Sequence, residues 1–364
     1  MTSRELVVDT ARRVLDAHGS AAAYAEACAA GWNAGAWSAL ADLGFQWLSL
    51  PTEIGGSGGT LEDLVGGVIE TGKHAPAPPI VDTALLGGWL LTQARWPLPP
   101  GPVAVVPPRS ASSLMASFDG AGLVINGVAA SVPWASVSGQ VLLVLERPDT
   151  SPALVRLEPR ALRIRPRRNL AGELRDQIDF DGVRVSEADI VTLPVSTEEA
   201  LLCRGALGRA ALLVGAMLRV RDLTVAYAKA RTQFGQPIAR FQAVAHSLAL
   251  IAEHTEQARI AVDAAALMFD RSPFEASAFA KIVAGDAATL VAARSHQIHG
   301  AIGMTADYEL HRHARALYAW SAEYGTEDEW SRRLGRDLLG ADATDLWTRL
   351  SAPTSSTAAV PASH

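Results

Sequence analysis

Apolar residues recur at helical spacing along most of the chain and at strand spacing in one central stretch. Glu5–His18, Ala21–Ala30, Gly35–Leu43 and Leu61–Gly72 carry helix formers or three- and four-residue apolar spacing, separated by glycine-bearing breaks. Thr60 ahead of Leu61, with Asp63 three residues on, predicts a capping box with Asp in place of Glu. A proline cluster at 76–79 is followed by one more helical stretch, Val81–Ala94. Prolines then crowd residues 97–108, and from 103 to 190 the apolar runs turn short and strand-like: Val103–Val106, Leu123–Asn126, Val141–Leu145, Ala153–Leu157 and Ile178–Phe180. Asn126-Gly127 predicts a turn between extended segments. Beyond Ser196 and Thr197, with Glu198 and Glu199 behind them as a helix start, four long helices are expected at about 198–231, 241–270, 274–299 and 306–337. Four such helices in an antiparallel row make a bundle.

The expected fold is therefore α+β and mainly helical: an N-terminal helical domain (1–100), a central small antiparallel β domain (101–195) and a C-terminal four-helix domain (196–350). The small-residue tail at 351–364 is expected to be disordered. With 364 residues, 49% of them apolar, the chain is long enough for two or three units with a substantial core.

Charge removes several function classes. Net charge is −6, so no overall attraction draws the chain to nucleic acid or to an acidic membrane. Arg156, Arg160, Arg163, Arg165, Arg167 and Arg168 form a local basic run, but no aromatics are interleaved with it. It reads as a solvated sheet face or a subunit contact, with attraction of an anionic coenzyme tail as a lesser option. The two cysteines, Cys28 and Cys203, lie far apart in helical patterns, which suits a reducing cytoplasm and supplies no thiolate metal site. No run of 18 apolar residues predicts membrane insertion, and the first residues lead into an amphipathic helix with no leader pattern. A cytoplasmic protein is the expectation.

Two stretches offer chemistry. The glycine cluster Gly55-Gly56-Ser57-Gly58-Gly59 lacks the Lys-Ser/Thr ending of a phosphate loop and reads as a plain loop. Arg231-Thr232-Gln233-Phe234-Gly235-Gln236-Pro237, with Gln242 beyond it, breaks two long helical patterns. One reading is an ordinary corner with Phe234 in the core and Arg231 solvated. The other is an anion and ring-stacking site, because a guanidinium fork and a helix N-terminus both suit phosphate oxygens.

The run from Arg231 to Gln242 resembles the Arg-x-x-Phe-Gly-x-Pro-Ile-x-x-Phe-Gln signature of the acyl-CoA dehydrogenase family. Gln297-Ile298-His299-Gly300-Ala301-Ile302-Gly303 resembles that family's Gln-x-x-Gly-Gly-x-Gly segment. Leu50–Gly58 and Phe180–Val185 match as well, so the resemblance runs from about residue 5 to 340. It implies the same three-part plan, FAD lying between domains and subunits, and α,β-desaturation of an acyl-CoA thioester by a carboxylate base and the flavin. Carried over by position, Arg231, Gln233, Phe234 and Gln242 would meet the adenosine diphosphate half of an FAD held mainly by a neighbouring subunit. Gln297, His299, Gly300 and Ala301 would line the same cofactor. An electron-transfer flavoprotein or similar acceptor is the implied redox partner.

The chain departs from the family at the base. One family position for the glutamate, about 26 residues before the signature arginine, falls in Cys203-Arg204-Gly205-Ala206, which holds no acid. The other, in a Tyr-Glu-Gly-Thr context, falls on Tyr324 before Gly325-Thr326, or on Ser321 if the helix is matched without a gap; Glu323 and Glu327 stand nearby as displaced candidates. The flavin-side loop is matched only by Val105–Ser112, and the Trp-Ile-Thr/Ser flavin contact by Ser131-Val132-Pro133. Three readings follow: a subunit of a heteromeric dehydrogenase, as in actinobacterial enzymes for bulky steroid side-chain thioesters, with the base on a related partner chain; a self-sufficient homomer using Glu323 or Glu327; or a non-enzymatic scaffold keeping only the fold.

Overall fold

The structure, a computed structural model, describes residues 2–118, 122–147 and 150–340. The predicted tail at 351–364 lies outside the described residues. Helices α1 (Ser3–Ala17), α2 (Ala21–Ala30), α3 (Ala34–Asp42) and α4 (Leu61–Gly72) form the N-terminal part. The expected capping box at α4 is present: Asp63 N–H donates to Thr60 Oγ1 at 3.1 Å, and Thr60 N–H to Asp63 Oδ2 at 3.0 Å. The glycine cluster is a loop packed on its own chain, where a Cβ at Gly56 would lie 2.2 Å from the Leu50 carbonyl oxygen. The helix expected from Val81 to Ala94 is wound in two ways, as a π-helix over Val81–Gly88 and as α5 over Trp89–Ala94.

The middle is the expected small, mostly antiparallel β domain, built as two four-stranded sheets. Strands β1 (Val103–Val105), β4 (Gln140–Arg147), β5 (Thr150–Leu157) and β8 (Ile190–Thr192) form one, in the order β1-β4-β5-β8. Strands β2 (Leu114–Phe118), β3 (Gly122–Pro133), β7 (Arg175–Ser186) and β6 (Arg163–Arg165) form the other, in that order. All pairs are antiparallel except β1 beside β4, which are parallel. A short helix, α6 (Pro108–Ala111), follows β1. Side chains on β4 alternate between two cores. Val141, Leu143 and Leu145 face the other sheet, while Leu142 and Val144 pack into the helical core. A strand covered on both faces reads as an unbroken apolar run.

Asn126-Gly127 is not a turn. Both residues lie inside β3, at a register shift against β7, with Gly127 at φ 121° and Asn126 Oδ1 accepting the Gly182 N–H at 2.8 Å. The dipeptide serves a bulge, which needs the same unusual backbone as a tight turn.

The C-terminal part begins with α7 (Thr197–Ala230), α8 (Gln242–Met268) and α9 (Pro273–His299). The expected fourth helix is two, α10 (Leu310–Ser321) and α11 (Glu327–Gly340). Tyr324 at φ 55° and Gly325 at φ 90° end the first, and a capping box starts the second: Glu329 N–H donates to Thr326 Oγ1 at 3.2 Å and Thr326 N–H to Glu329 Oε2 at 3.0 Å. Helix α7 is the central post. A Cβ at Gly215 would sit 2.1 Å from the Ile69 carbonyl oxygen, so α4 and α7 touch backbone to backbone. Helix α7 and the stretch Pro273–Met304 are long and apolar enough to cross a membrane, but 89% and 61% of their most apolar windows lie buried inside the fold. A helix apolar on all sides is as much a core helix as a membrane one.

Candidate functional site

The turn after α7 is a tight hairpin. Ile238 N–H donates to the Arg231 carbonyl at 2.8 Å, and Thr232–Gln233 pair with Gln236–Pro237. Phe234 and Gly235 take left-handed backbone at the tip, φ 52° and 79°. Phe234 is 92% exposed, its one ring contact among the described residues an edge-on approach to Phe241 at 6.0 Å. Of the two readings of this stretch, the one that buries Phe234 in the core is ruled out, because the hairpin points that ring outward. Arg231, Gln233 and Gln242, the first residue of α8, are exposed as well.

The second stretch meets this hairpin through Tyr227. Its carbonyl accepts the Arg231 N–H at 2.8 Å, and its ring stacks on His299 at 4.4 Å. His299 is buried, with Tyr308 against its other edge at 4.9 Å. His299 Nδ1 lies 2.9 Å from the Ser295 carbonyl, which fixes the neutral tautomer, and Nε2 is left an acceptor without a partner. Burial pulls this imidazole's pKa below the ordinary value. Gln297, Gly300 and Ala301 are exposed around it, and Gly300, at φ 64° and ψ −146°, has a backbone open in practice only to glycine. The structure thus brings all eight predicted cofactor residues to one end of the bundle.

The two predicted acids lie elsewhere. A cavity of about 950 Å³ separates the β sandwich from α10 and α11, with Pro107, Pro133 and Ser131 on one wall and Tyr318, Tyr324 and Trp330 on the other. Glu323 lines it and Glu327 does not; the Glu327 side chain packs against Gly285 of α9, 2.9 Å from where a Cβ would sit. Glu323 accepts from Arg175 at 2.8 and 3.0 Å, pairs with Arg209 at 2.6 Å and accepts from Asn169 at 3.2 Å. Burial pushes its pKa up, but Arg175 and Arg209 outweigh burial and hold the carboxyl down at about 2. A base must take a proton, and a carboxylate locked between two guanidiniums is poorly suited to that.

Behind Glu323 the network continues inward. Arg209 bonds Asp82 at 3.0 and 3.1 Å, and Glu173 takes Arg175 at 2.9 Å and the Trp320 indole N–H at 2.9 Å. Arg209, Asp82 and Glu173 are fully buried. Neither Arg209 nor Asp82 stands out in the sequence as a site residue. A lone charge inside an apolar stretch was the available signal, since such charges are buried only when paired.

Tyr324 packs against the neighbourhood where the resemblance looks for the other glutamate. A Cβ on Gly205 would lie 2.1 Å from the Tyr324 ring, and neither residue is an acid, nor is Ser321, the alternative match to the second position. The ring is 8% exposed, and burial drives its phenol well above the ordinary pKa. The sandwich wall of the cavity does not fit a flavin ring. Pro107, Pro108 and Pro133 have no N–H to offer, and the Ser110 hydroxyl donates to the Ala130 carbonyl of its own domain. Trp134 lies buried under Arg175, 4.4 Å from its guanidinium. By contrast, the orphaned Nε2 of His299 and the outward-facing Phe234 and Arg231 fit contact with the far end of a dinucleotide.

Comparison with known proteins bears on the family and the fold. Residues 197–339 match the model described as "Acyl-CoA dehydrogenase, C-terminal domain". Acyl-CoA dehydrogenase IpdE2 of Mycobacterium tuberculosis is 29% identical over 338 residues, covering 92% of this chain and 97% of that one. Among solved structures, the ChsE4-ChsE5 complex from Mycobacterium tuberculosis superposes with a TM-score of 0.87 at 21% identity, over 94% of this chain and 99% of that one. A variant of the Tcur3481-Tcur3483 steroid ACAD superposes at 0.81 and 23% identity, over 93% and 98%. Residues 197–339 thus belong to the acyl-CoA dehydrogenase family as its C-terminal domain, and the chain as a whole is similar to acyl-CoA dehydrogenases in sequence and in fold.

Proposed function

We propose that this chain is the base-lacking subunit of a two-component, FAD-dependent acyl-CoA dehydrogenase. The observation that carries the reading is the contact of Tyr324 with Gly205, an aromatic ring seated where both family glutamates are missing. A related partner chain supplies the base and the flavin cradle. When bound, the flavin accepts the hydride in α,β-desaturation of an acyl-CoA thioester, and a flavoprotein acceptor reoxidises it. This chain's part is to grip the adenosine diphosphate end with Arg231, Gln233, Phe234 and Gln242, backed by Gln297, His299, Gly300 and Ala301. Arg231 supplies charge to the phosphates and Phe234 a stacking surface, while the neutral His299, whose Nε2 can only accept, suits a donor such as a ribose hydroxyl or the adenine amino group. That similar chains crystallise as named pairs, one of them a steroid ACAD, supports a bulky thioester and a heteromer.

The test is co-expression with a dehydrogenase-like partner chain, followed by a flavin spectrum. Bound FAD in the mixed complex alone, at fewer than one per chain, is expected. A yellow protein purified by itself, with one FAD per chain and bleached by an acyl-CoA, would overturn the reading and return attention to Glu327.

A further inference from the structure

The N-terminal helices meet the C-terminal bundle at a second, much smaller cavity, of about 40 Å³. On one side stand His18, Tyr24, Lys73 and His74, from α2 and from the ends of α1 and α4. On the other stand Glu309, Arg312 and His313, at the start of α10. His313 is 2% exposed, and its Nε2 lies 3.1 Å from Glu309 Oε1. A carboxylate can only accept, so Nε2 carries the proton and Nδ1 is an acceptor, buried and without a partner among the described residues. Glu309 is already matched, because Arg219 of α7 donates to both of its oxygens, at 3.0 and 2.8 Å. His74 is half-buried, its Nε2 3.5 Å from Asp16 of α1 and its Nδ1 3.2 Å from where a Cβ on Gly19 would sit. Arg312 lies 3.5 Å over the Tyr24 ring, and its Nε is a buried donor that also lacks a partner among the described residues.

The charges facing the two rings balance while both rings are neutral. They are Asp16 of α1, Glu70 and Lys73 of α4, Arg219 of α7, and Glu309 and Arg312 at the start of α10, three acids against three bases. A proton on each ring leaves the junction with two positive charges in excess. It also turns Nδ1 of His313 from an acceptor into a donor, in the cavity that already holds the unpaired Arg312 N–H. Burial is the largest influence on both imidazoles and pulls each below the ordinary histidine pKa, against the opposing pull of Asp16 on His74 and of Glu309 on His313.

We propose that this junction is a proton-sensitive clasp, closed while His74 and His313 are neutral and loosened at the start of α10 when they take up protons. Each ring is held below its unfolded pKa, so its contribution is intact above the ordinary histidine range. That contribution is lost as pH falls through that range toward the folded value. Helix α10 carries Tyr318 to the wall of the larger cavity, so the clasp ties that wall to pH. Neither a flavin nor a partner chain enters the device, and it stands apart from the two-component reading.

The test is hydrogen exchange of the full chain, read by mass spectrometry at about pH 7.5 and about pH 5, on either side of the ordinary histidine range, after correction for intrinsic exchange. On acidification, exchange in α10 is expected to become several-fold faster while the buried middle of α7 stays protected. His74→Gln and His313→Gln cannot take up the proton, and each is expected to reduce that acid-induced loss. His313 is fully enclosed, so its variant can fail to fold; His74→Gln, at the half-buried ring, then carries the comparison alone. Unchanged exchange in α10 at the lower pH, equal loosening of α7 and α10, or the same acid loss in wild type and His74→Gln overturns the proposal.

Discussion

The hairpin end of the bundle and the cavity behind Tyr324 have diverged in opposite senses. At the hairpin Arg231 and Phe234 face outward, and behind them the buried His299 keeps an acceptor without a partner among the described residues. At the cavity the groups present satisfy one another within this chain. Prolines line the sandwich wall, Tyr324 packs on Gly205, and Glu323 is tied to two arginines. Groups left unsatisfied on one surface suit an absent partner molecule. Groups satisfied among themselves contribute stability, and here they do so where catalysis was expected.

The sharpest way to break this contrast is to unlock the cavity side. Arg209→Met strips the counter-charge from Asp82 and Glu323 while keeping the shape of the side chain. Leaving buried carboxylates uncompensated costs about 3–5 kcal/mol, to be read in denaturant unfolding at neutral pH. A loss below about 1 kcal/mol would show the network to be dispensable. The pH dependence follows from Glu323. Its folded pKa is depressed to about 2, so its contribution is fully present above the ordinary carboxylate range and is lost as pH falls through 2. In Arg209→Met that acid-labile contribution shrinks, and the acid limb of the stability profile becomes shallower.

Arg231→Ala probes the other side and should behave in the opposite way. Exposed and held only through its backbone, Arg231 contributes little to folding, and a change within about 0.5 kcal/mol is expected. In the mixed complex, losing one charge-assisted contact to a phosphate should raise the FAD dissociation constant about tenfold or more. If the variant unfolds the chain or leaves FAD affinity unchanged, the division into a satisfied interior and a waiting surface fails.

Legibility divides along the same line. The signature hairpin and the Gln297–Ala301 segment were readable because each is contiguous, and Tyr227 joins them through α7 and α9. The broken last helix had a local signal, Gly325 followed by Thr326 and Glu329 in capping-box spacing, which the longer helical period masked. The buried network had none of that kind. Arg209 and Asp82 are 127 residues apart, and Arg175 and Glu323 are 148 apart. Periodicity reports which face of an element is apolar, but not which charges meet after the elements pack. Asn126-Gly127 failed for a related reason: a glycine suited to positive φ serves a bulge as well as a turn, and only the partner strand decides.

The smallest effect expected is also the most discriminating. Phe234 projects into solvent and meets only the edge of Phe241, so Phe234→Ala should leave the thermal midpoint of the isolated chain almost unchanged. An exposed aromatic contact contributes well under the roughly 0.5–1.5 kcal/mol of a packed pair. A ring held outward on strained left-handed backbone is hard to account for by folding alone, because that conformation costs about 1–2 kcal/mol at a residue other than glycine. If the ring serves a ligand held by a partner chain, the variant should release FAD from the mixed complex several-fold faster, read by stopped-flow flavin fluorescence. An unchanged release rate would mean that the outward ring serves something other than the flavin, and the hairpin would lose its aromatic contact to the cofactor.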